Sequence, residues 1–527
     1  SATADTFPPR GRLLKRLCIL LPNLLAIIFR KCYTICINMT DMKMRSKIGK
    51  KYLLKKIAIG AAAAILGYFF VCGFFPPLFR KKFTLDPVSS RKNDLNCAER
   101  AAVIDDNQSA LLYRLRLIER AENEILLSTY SFYNDESGAD VTCALFAAAE
   151  RGVKVKIIID GFNQGKLVAF SGFKALAGHE NAEVKIYNPV NPFAFWRANF
   201  RLHDKYLVCD DDFYILGGRN IGDYFLGEYG KESKRNIDRD VLVSCSSSVN
   251  ANAAGGGEKT RSIGEVKEYF SRVWQEKHNA RFKGSESGKR YEKQAETLRA
   301  RYAAMKEKFP AISLPIDVET ETTATRGITL LHGETQAWVK QPLLWKSLLN
   351  ELKGGGETTI QTPYAICDKA MYSDLTSLAE SKTAITIVTN AVESGANPWG
   401  CADFLNEKIS ILKTGADVLE ISGARSSHVK TILSGGNMSY IGSFNLDMRS
   451  AYLNTETVLA IDCEKINEEL KAQVRSYAAS GVLTRRNPDG GYEFLYGENY
   501  AGGRVPIMKS LVYSAFRIVI LPVRHLL

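Results

Sequence analysis

A pattern of polar residues that occurs twice constrains this chain more than any other feature. Residues 201–220 read "RLHDKYLVCDDDFYILGGRN", and residues 428–445 read "HVKTILSGGNMSYIGSFN". In each run a lysine follows the histidine by two residues (His203 and Lys205, His428 and Lys430). A glycine follows it by fourteen (Gly217, Gly442) and an asparagine by seventeen (Asn220, Asn445). Gly218 and Ser443 stand at matching offsets. The chain has only six histidines, and His179, His278, His332 and His525 lack the pattern. A register this long, held twice, implies two halves built on one plan.

The surrounding sequence agrees. Within residues 110–163, "ALLYRLRLIERA" has helical periodicity, "EILLSTYSF" is strand-like, "VTCALFAAAERG" is a helix closing on glycine, and "VKVKIIIDG" alternates as a strand does. The order recurs in "PLLWKSLLNELKGGG", "ETTIQTPY", "YSDLTSLAES" and "AITIVTNA", with "FLNEKISILKTGA" and "DVLEIS" beyond. Helices alternating with strands predict an α/β fold with a largely parallel sheet. A chain of 527 residues has room for two such cores. The halves are expected at 95–250 and 326–490. A helical connector is expected at 251–325; the glycine-rich link 246–258 leads into it and the amphipathic "RSIGEVKEYFSRVW" follows. A tail follows at 491–527.

Residues i and i+2 of a strand share a face. His203 and Lys205 therefore project together, as do His428 and Lys430, and a turn returns each asparagine beside them. A pseudo-twofold axis between the halves would gather both sets around one pocket. Lysines and asparagines in a site without metal ligands suit a phosphate group. One histidine can attack phosphorus, and the other can protonate the departing alkoxide and later deprotonate the acceptor. An ordinary imidazole, with a pKa of about 6.5, serves either role near neutrality. The reaction this predicts is two-step transfer from a phosphodiester through a phosphohistidine. The sequence does not order the two histidines.

The constellation resembles the phospholipase D superfamily, whose signature is H-x-K-x4-D followed by G-[GS]-x-N. His203, Lys205, Asp210 and Asn220 match it in the first copy, and His428, Lys430, Ser443 and Asn445 in the second. "GGRNIGDYF", "GSFNLDMRS", "ERGVKVKIIIDGFN" and "IQTPY" are most similar to bacterial cardiolipin synthases. The resemblance implies an α/β/α sandwich in each half, no metal or cofactor, His203 as nucleophile and His428 as general acid. It also implies an acidic residue beyond each asparagine that supports a histidine. Glu456 fills that slot in the second half. In the first half, Asp240 of "DRDVLVS" is preferred to Asp238, with an insertion near 226–236. One position departs from the signature: the counterpart of Asp210 is Gly435, which predicts less rigidity in the second half.

Residues 57–75, "IAIGAAAAILGYFFVCGFF", carry no charge and are long enough to cross a bilayer. Lysines and arginines flank them on both sides, so 57–79 is expected to be an uncleaved transmembrane anchor after a basic, partly apolar segment 1–56. The shorter "LCILLPNLLAIIF" at 17–29 is a second, weaker candidate, and "MRSKIGKKYLLKK" from Met44 reads as a natural bacterial start. One span predicts an outside catalytic body and two spans an inside one. Near the C-terminus, Lys509, Arg517 and Arg524 lie on one side of a mostly apolar stretch, which suits either an interfacial helix or a core-packing one. The aromatic run "NPVNPFAFWRANF" at 188–200 suits a membrane contact or a packing loop. The net charge of +13 favours an acidic partner, membrane surface or nucleic acid. Eleven cysteines with no C-x-x-C pair argue against a disulfide framework or zinc site.

Together these features predict a membrane-bound phosphatidyltransferase of the cardiolipin synthase type. Its substrates are expected to be phospholipids, phosphatidylglycerol first and phosphatidylethanolamine second, with no nucleic acid. The alternative is a phospholipase D-type hydrolase acting on lipid or, as a further option, on nucleic acid.

Overall fold

The computed structural model describes residues 47–90, 99–245, 262–285, 287–354, 356–502 and 505–527. The candidate segment 17–29, the Met44 start and the link 246–258 lie outside them. The first half carries β1 (Arg100–Ile104), β2 (Glu124–Thr129), β3 (Lys154–Asp160), β4 (Ala182–Tyr187), β5 (Tyr206–Cys209), β6 (Phe213–Gly217) and β7 (Asp240–Ser244). Short β8 (Ala280–Arg281) and β9 (Thr323–Ala324) follow. The second half carries β10 (Gly327–His332), β11 (Glu357–Gln361), β12 (Ala384–Asn390), β13 (Asp417–Ile421), β14 (Thr431–Ser434), β15 (Met438–Gly442) and β16 (Thr457–Asp462). It ends with β17 (Gly481–Arg486) and β18 (Tyr492–Tyr496).

The sheets run β8-β4-β3-β2-β5-β6-β7-β1-β9 and β10-β16-β15-β14-β11-β12-β13-β17-β18. Seven strands of one therefore superpose in order on seven of the other, β4-β3-β2-β5-β6-β7-β1 on β13-β12-β11-β14-β15-β16-β10. The sheets are mixed rather than largely parallel. β2, β3 and β4 are parallel neighbours, while β5, β6, β7 and β1 are antiparallel. The reason is local: β5 and β6 are joined by a short turn, and only an antiparallel pair can close one.

Both faces of each central strand are buried, which is why the strands read as nearly continuous apolar runs. In the first sheet Leu126, Val208, Tyr214, Leu216, Val241 and Val243 point into a core shared with the second half. Their strand neighbours Ile125, Leu127, Leu207, Ile215 and Leu242 point the other way, into the first half's own core. The shared core makes the halves one body, and β6 and β7 lie against β15 and β16.

The helix Lys47–Phe74 supplies most of the one candidate membrane span among the described residues, Lys55–Leu78, which runs on through the turn Pro76–Leu78 and has a mean hydropathy of 2.2. Only 11% of its apolar window is buried, so it is not a core helix. Its last turns dock on the body. Tyr68 and Cys72 pack with Phe195 and Trp196 of the 188–200 run, and Asn199 Nδ2 donates to Gly73 O at 2.6 Å.

Candidate active site

Each histidine lies just before the first strand of a hairpin, and each asparagine lies just after the second. In the first half β5 and β6 pair Tyr206 with Leu216, and Gly217 N donates to Lys205 O at 3.1 Å. In the second half β14 and β15 pair Thr431 with Ile441. The hairpin thus returns Asn220 to the level of His203, and Asn445 to that of His428. Lys205, Lys430, Asn220 and Asn445 are all buried.

The carboxylates come from the opposite half. The segment before His203 forms a parallel β-bridge, Leu202 to Thr455, and the segment before His428 forms another, Ser427 to Ile237. These exchanged bridges place Glu456 on His203 and Asp238 on His428. His203 Nδ1 lies 2.9 and 3.0 Å from the two oxygens of Glu456. His428 Nδ1 lies 2.6 Å from Asp238 Oδ2. A carboxylate can only accept, so each Nδ1 carries the proton and Nε2 is the nitrogen left for chemistry. An aromatic ring flanks each imidazole edge-on, Tyr130 at 5.5 Å from His203 and Phe225 at 5.3 Å from His428.

Asp238, not Asp240, is therefore the counterpart of Glu456. Strand register accounts for the difference. Gly217 pairs with Asp240 where Gly442 pairs with Val458, so two positions earlier Asp238 aligns with Glu456. Asp240 is turned away from the histidine, 2.9 Å from Arg114 and 3.3 Å from Arg219 in a buried ion cluster. Asp238 stands eighteen residues past Asn220 and Glu456 eleven past Asn445, so the first half has extra chain before its acid.

The supports of the two acids differ. Glu456 accepts hydrogen bonds from Ser443 Oγ at 2.5 Å, Ser450 Oγ at 2.8 Å and Asn454 Nδ2 at 3.3 Å. In the first half Gly218 replaces Ser443, because a Cβ there would lie 2.3 Å from Asp238 Oδ1. Asp238 Oδ1 instead accepts the Arg239 N–H at 2.8 Å. The Arg239 guanidinium crosses into the second half, donating to Gln361 at 3.1 Å and Thr431 at 3.0 Å.

Asp210 is also not at the site. It occupies the β5–β6 turn, at the far end of the hairpin from His203. There its carboxylate accepts the N–H groups of Glu122, Asn123 and Glu124 at 2.8 to 2.9 Å. Its backbone is left-handed, φ 54°, as is that of Gly435, φ 58°. Asp210 N donates to Glu124 O and Gly435 N to Glu357 O. Gly435 thus preserves the turn and lacks only the carboxylate staple, roughly 20 Å along the chain from His428.

Three positions were missed by sequence reasoning, two of them a matched pair. Asp160 Oδ2 accepts the Leu202 N–H at 2.9 Å, and Asn390 Oδ1 accepts the Ser427 N–H at 2.8 Å. Each fixes the residue before a histidine. Their signal in the sequence is a shared location, the last residue of β3 and of β12. Arg449 is the third missed residue. It donates to Asn199 O at 3.0 Å and Leu526 O at 2.7 Å, and its charge adds to the field on His203.

Burial and the paired lysines shape the electrostatics. Desolvation, with Lys205, Lys430, His428 and Arg449 adding to it, holds His203 well below the ordinary imidazole value. Desolvation and Lys430 hold His428 at about 4, opposed by Asp238. Burial brings Lys205 down to about 7 and Lys430 to about 8. Burial would raise Asp238, but the His428, Lys430 and Arg219 charges outweigh it and hold it at about 2. Glu456 is raised by burial against the pull of Lys205 and its three hydrogen bonds. The site is a dense cluster of donors, with Glu456 and Asp238 against its two histidines. Among the described residues no group of His, Cys, Asp and Glu side chains is arranged to hold a metal ion.

Known proteins resemble this chain in sequence and fold. The cardiolipin synthase, phospholipase D-like domain matches residues 115–233 and again 348–477. Cardiolipin synthase C of Escherichia coli K12 is 26% identical over 69% of this chain and 81% of its own. An uncharacterised protein of Helicobacter pylori strain 26695 is 26% identical over 78% of this chain and 88% of its own. The crystal structure of the phosphatidylserine synthase of Haemophilus influenzae shares the fold, with a TM-score of 0.54 at 13% identity, over 84% of this chain and 97% of that one. The twice-matched domain and the repeated histidine–lysine–asparagine hairpin agree: the chain is an enzyme of the phospholipase D superfamily and, within it, resembles the bacterial cardiolipin synthases.

Proposed function

We propose that the protein is a membrane-bound phosphatidyltransferase that forms cardiolipin from two molecules of phosphatidylglycerol. The observation that carries this reading is the pair of imidazoles, each held at Nδ1 by a carboxylate from the opposite half and each beside a buried lysine. In the first step His203 Nε2 attacks the donor's phosphorus. The P–N bond forms, the P–O bond to glycerol breaks, and a proton from His428 goes to the glycerol alkoxide. In the second step His428 takes the proton from a hydroxyl of the second lipid, whose oxygen attacks the same phosphorus. The P–N bond breaks and His203 is restored.

The two environments favour this division of labour. Asp238 is a firm anion at about 2, so it stabilises a proton on His428. Glu456 is shifted the other way and His203 is held neutral, as a nucleophile must be. A bound phosphodiester supplies the negative charge that restores the protons of Lys205, Lys430 and His428. The lysines and the amides of Asn220 and Asn445 then hold the non-bridging oxygens as charge develops on them.

Turnover of labelled phosphatidylglycerol, phosphatidylethanolamine and DNA by the detergent-purified protein tests the reading. Cardiolipin formation, lost in His203→Ala, is expected. Phosphatidic acid alone would show a hydrolase, and cleavage of DNA without lipid turnover would overturn the lipid assignment. Acid-quenched enzyme should yield a phosphorylated peptide containing His203, and recovery of the label on His428 would reverse the two roles.

A further inference from the structure

The helix Ile507–Val519 packs on the second half by its basic side and leaves its apolar side outside. Its cationic residues bond to the second half, Arg517 while still exposed. Lys509 Nζ donates to Glu393 O and Gly395 O at 2.8 and 3.1 Å. Arg517 Nε donates to Asn406 Oδ1 at 2.8 Å, and Arg524, beyond the helix, pairs with Asp403 at 2.8 Å. Phe516 stacks on Trp399 at 4.4 Å, and Tyr513 and Ile520 are buried. The positive side chains thus bind the helix to the second half. What remains outside is an apolar stripe, Met508, Leu511, Val512, Ile518 and Val519, with Leu511 60% and Ile518 73% exposed.

The surroundings of that stripe identify what covers it. The segment after the helix touches the end of the membrane-span candidate: His525 lies 2.8 Å from Phe74 O, with its ring 4.4 Å from that of Phe74. The same end of the span carries the aromatic turn Pro192–Arg197, where Phe195 meets Phe69 at 4.9 Å and Phe193 is 83% exposed. Where Lys55–Leu78 leaves a bilayer, the Pro192–Arg197 turn and the segment around His525, into which the helix runs, therefore lie beside it.

We infer that Ile507–Val519 is a lipid-facing helix, clamped to the body by its basic side, whose apolar stripe rests in the leaflet that the span adjoins. This deepens the proposed function and rests on Lys55–Leu78 crossing a membrane. Arg449 joins the two levels: it bonds Asn199, just past the aromatic turn, and Leu526, near the end of the C-terminal segment, and its field reaches His203. The stripe then sets the catalytic pocket at the depth of a phospholipid headgroup. An apolar face of this kind inserts about 5–10 Å, at the boundary of headgroups and acyl chains.

The test uses the full chain in vesicles of phosphatidylglycerol and phosphatidylcholine carrying brominated acyl chains. A tryptophan is added at Leu511→Trp or, as the control, at exposed Ala303→Trp on the charge-dense helix Lys289–Lys308. After the native tryptophan emission is subtracted, the added emission at 511 should be quenched by about half or more and that at 303 unchanged. No quenching at 511, or equal quenching at both positions, overturns the inference whether or not the enzyme turns over lipid. In the doubly substituted Leu511→Glu, Ile518→Glu protein, turnover of vesicle phosphatidylglycerol should fall about tenfold. Turnover of a short-chain, monomeric phosphatidylglycerol should persist. Equal loss on both substrates would show a folding defect in place of a lipid contact and overturn the inference. No turnover of either substrate by the parent protein would fail the proposed function alone, and the quenching would still decide the helix.

Discussion

His203 and Glu456 belong to different halves of the chain, yet His203 Nδ1 lies 2.9 Å from Glu456 Oε1. The reciprocal contact joins His428 to Asp238. Neither half therefore holds a complete catalytic group, because each histidine's orienting acid is delivered across the interface by an exchanged β-bridge. Glu456→Gln and Asp238→Asn keep the shape and remove the charge that fixes the Nδ1 tautomer. Each is expected to lower kcat by on the order of 10²-fold or more while the protein stays folded. Steady-state kinetics beside a thermal melt check this, and a loss matched by a lowered Tm would refute it.

Asp240→Asn should do the reverse. Its carboxylate pairs with Arg114 and Arg219 within the first half, and its link to His428 is indirect, through Arg219, which also donates to the Asp238 carbonyl. Leaving two guanidinium groups short of their anion in a buried cluster costs about 3–5 kcal/mol. The expected result is a clear drop in the denaturant midpoint with kcat per folded molecule nearly unchanged. A kcat as low as that of Asp238→Asn would return Asp240 to the site.

The contrast of Asp238 with Asp240 shows where sequence reasoning stops. The repeated histidine, lysine, glycine and asparagine offsets were legible because they are local: one hairpin fixes them, and its period is written in consecutive residues. The choice between two aspartates two residues apart was not. Both fit the same alternation, and the decision lies in how β7 registers against β6, a long-range pairing. The exchange of acids between halves was hidden for the same reason. The basic face of Ile507–Val519 was visible as a pattern, but its partner was not, since a cation suits a carbonyl cluster as well as a phosphate surface.

The turn at Asp210 gives a test of the asymmetry between the halves. Asp210→Gly copies what the second half already has at Gly435. The left-handed backbone becomes easier to adopt, while three N–H groups lose a charged acceptor. The expected net change is a loss of about 1–3 kcal/mol in stability with no change in kcat, read from urea unfolding beside turnover. Gly435→Val, which forces a β-branched residue into φ near 58°, should destabilise by about 1–2 kcal/mol. A large kcat effect from either would mean that these turns reach the site.

Proton linkage follows from the buried lysines. Lys205 falls from an ordinary 10.5 to about 7, and Lys430 to about 8. Between the folded and unfolded values the unfolded chain binds more protons, so the stability of the empty protein rises with pH there. The Lys205 contribution is complete above 10.5 and lost as pH falls through about 7. Lys205→Met should flatten that slope in unfolding curves taken from pH 7 to 9.5. Binding of inorganic phosphate at pH 8 should conversely take up protons, seen as a dependence of the calorimetric heat on the buffer's ionisation enthalpy. A heat independent of buffer would contradict charged-on-binding lysines.

The residue before each histidine supplies the last test, because its two clamps are chemically unequal. Asp160 holds the Leu202 N–H and also lies 3.2 Å from the buried Arg201. Asn390 holds the Ser427 N–H while its own Nδ2 donates to Pro363 O and Ser427 O at 2.9 and 2.8 Å. A carboxylate at 390 would face those two carbonyls with no donor, and an amide at 160 would leave Arg201 without its anion. Asn390→Asp and Asp160→Asn should therefore each be destabilising, by about 3–5 kcal/mol where the buried arginine is orphaned. Asp160→Asn with Arg201→Met should recover much of that loss, since no unpaired charge remains. Recovery of kcat along with stability would show that the Leu202 hydrogen bond, which asparagine can still accept, is what positions His203. Recovery of stability alone would show that the charge of Asp160 also acts on the imidazole.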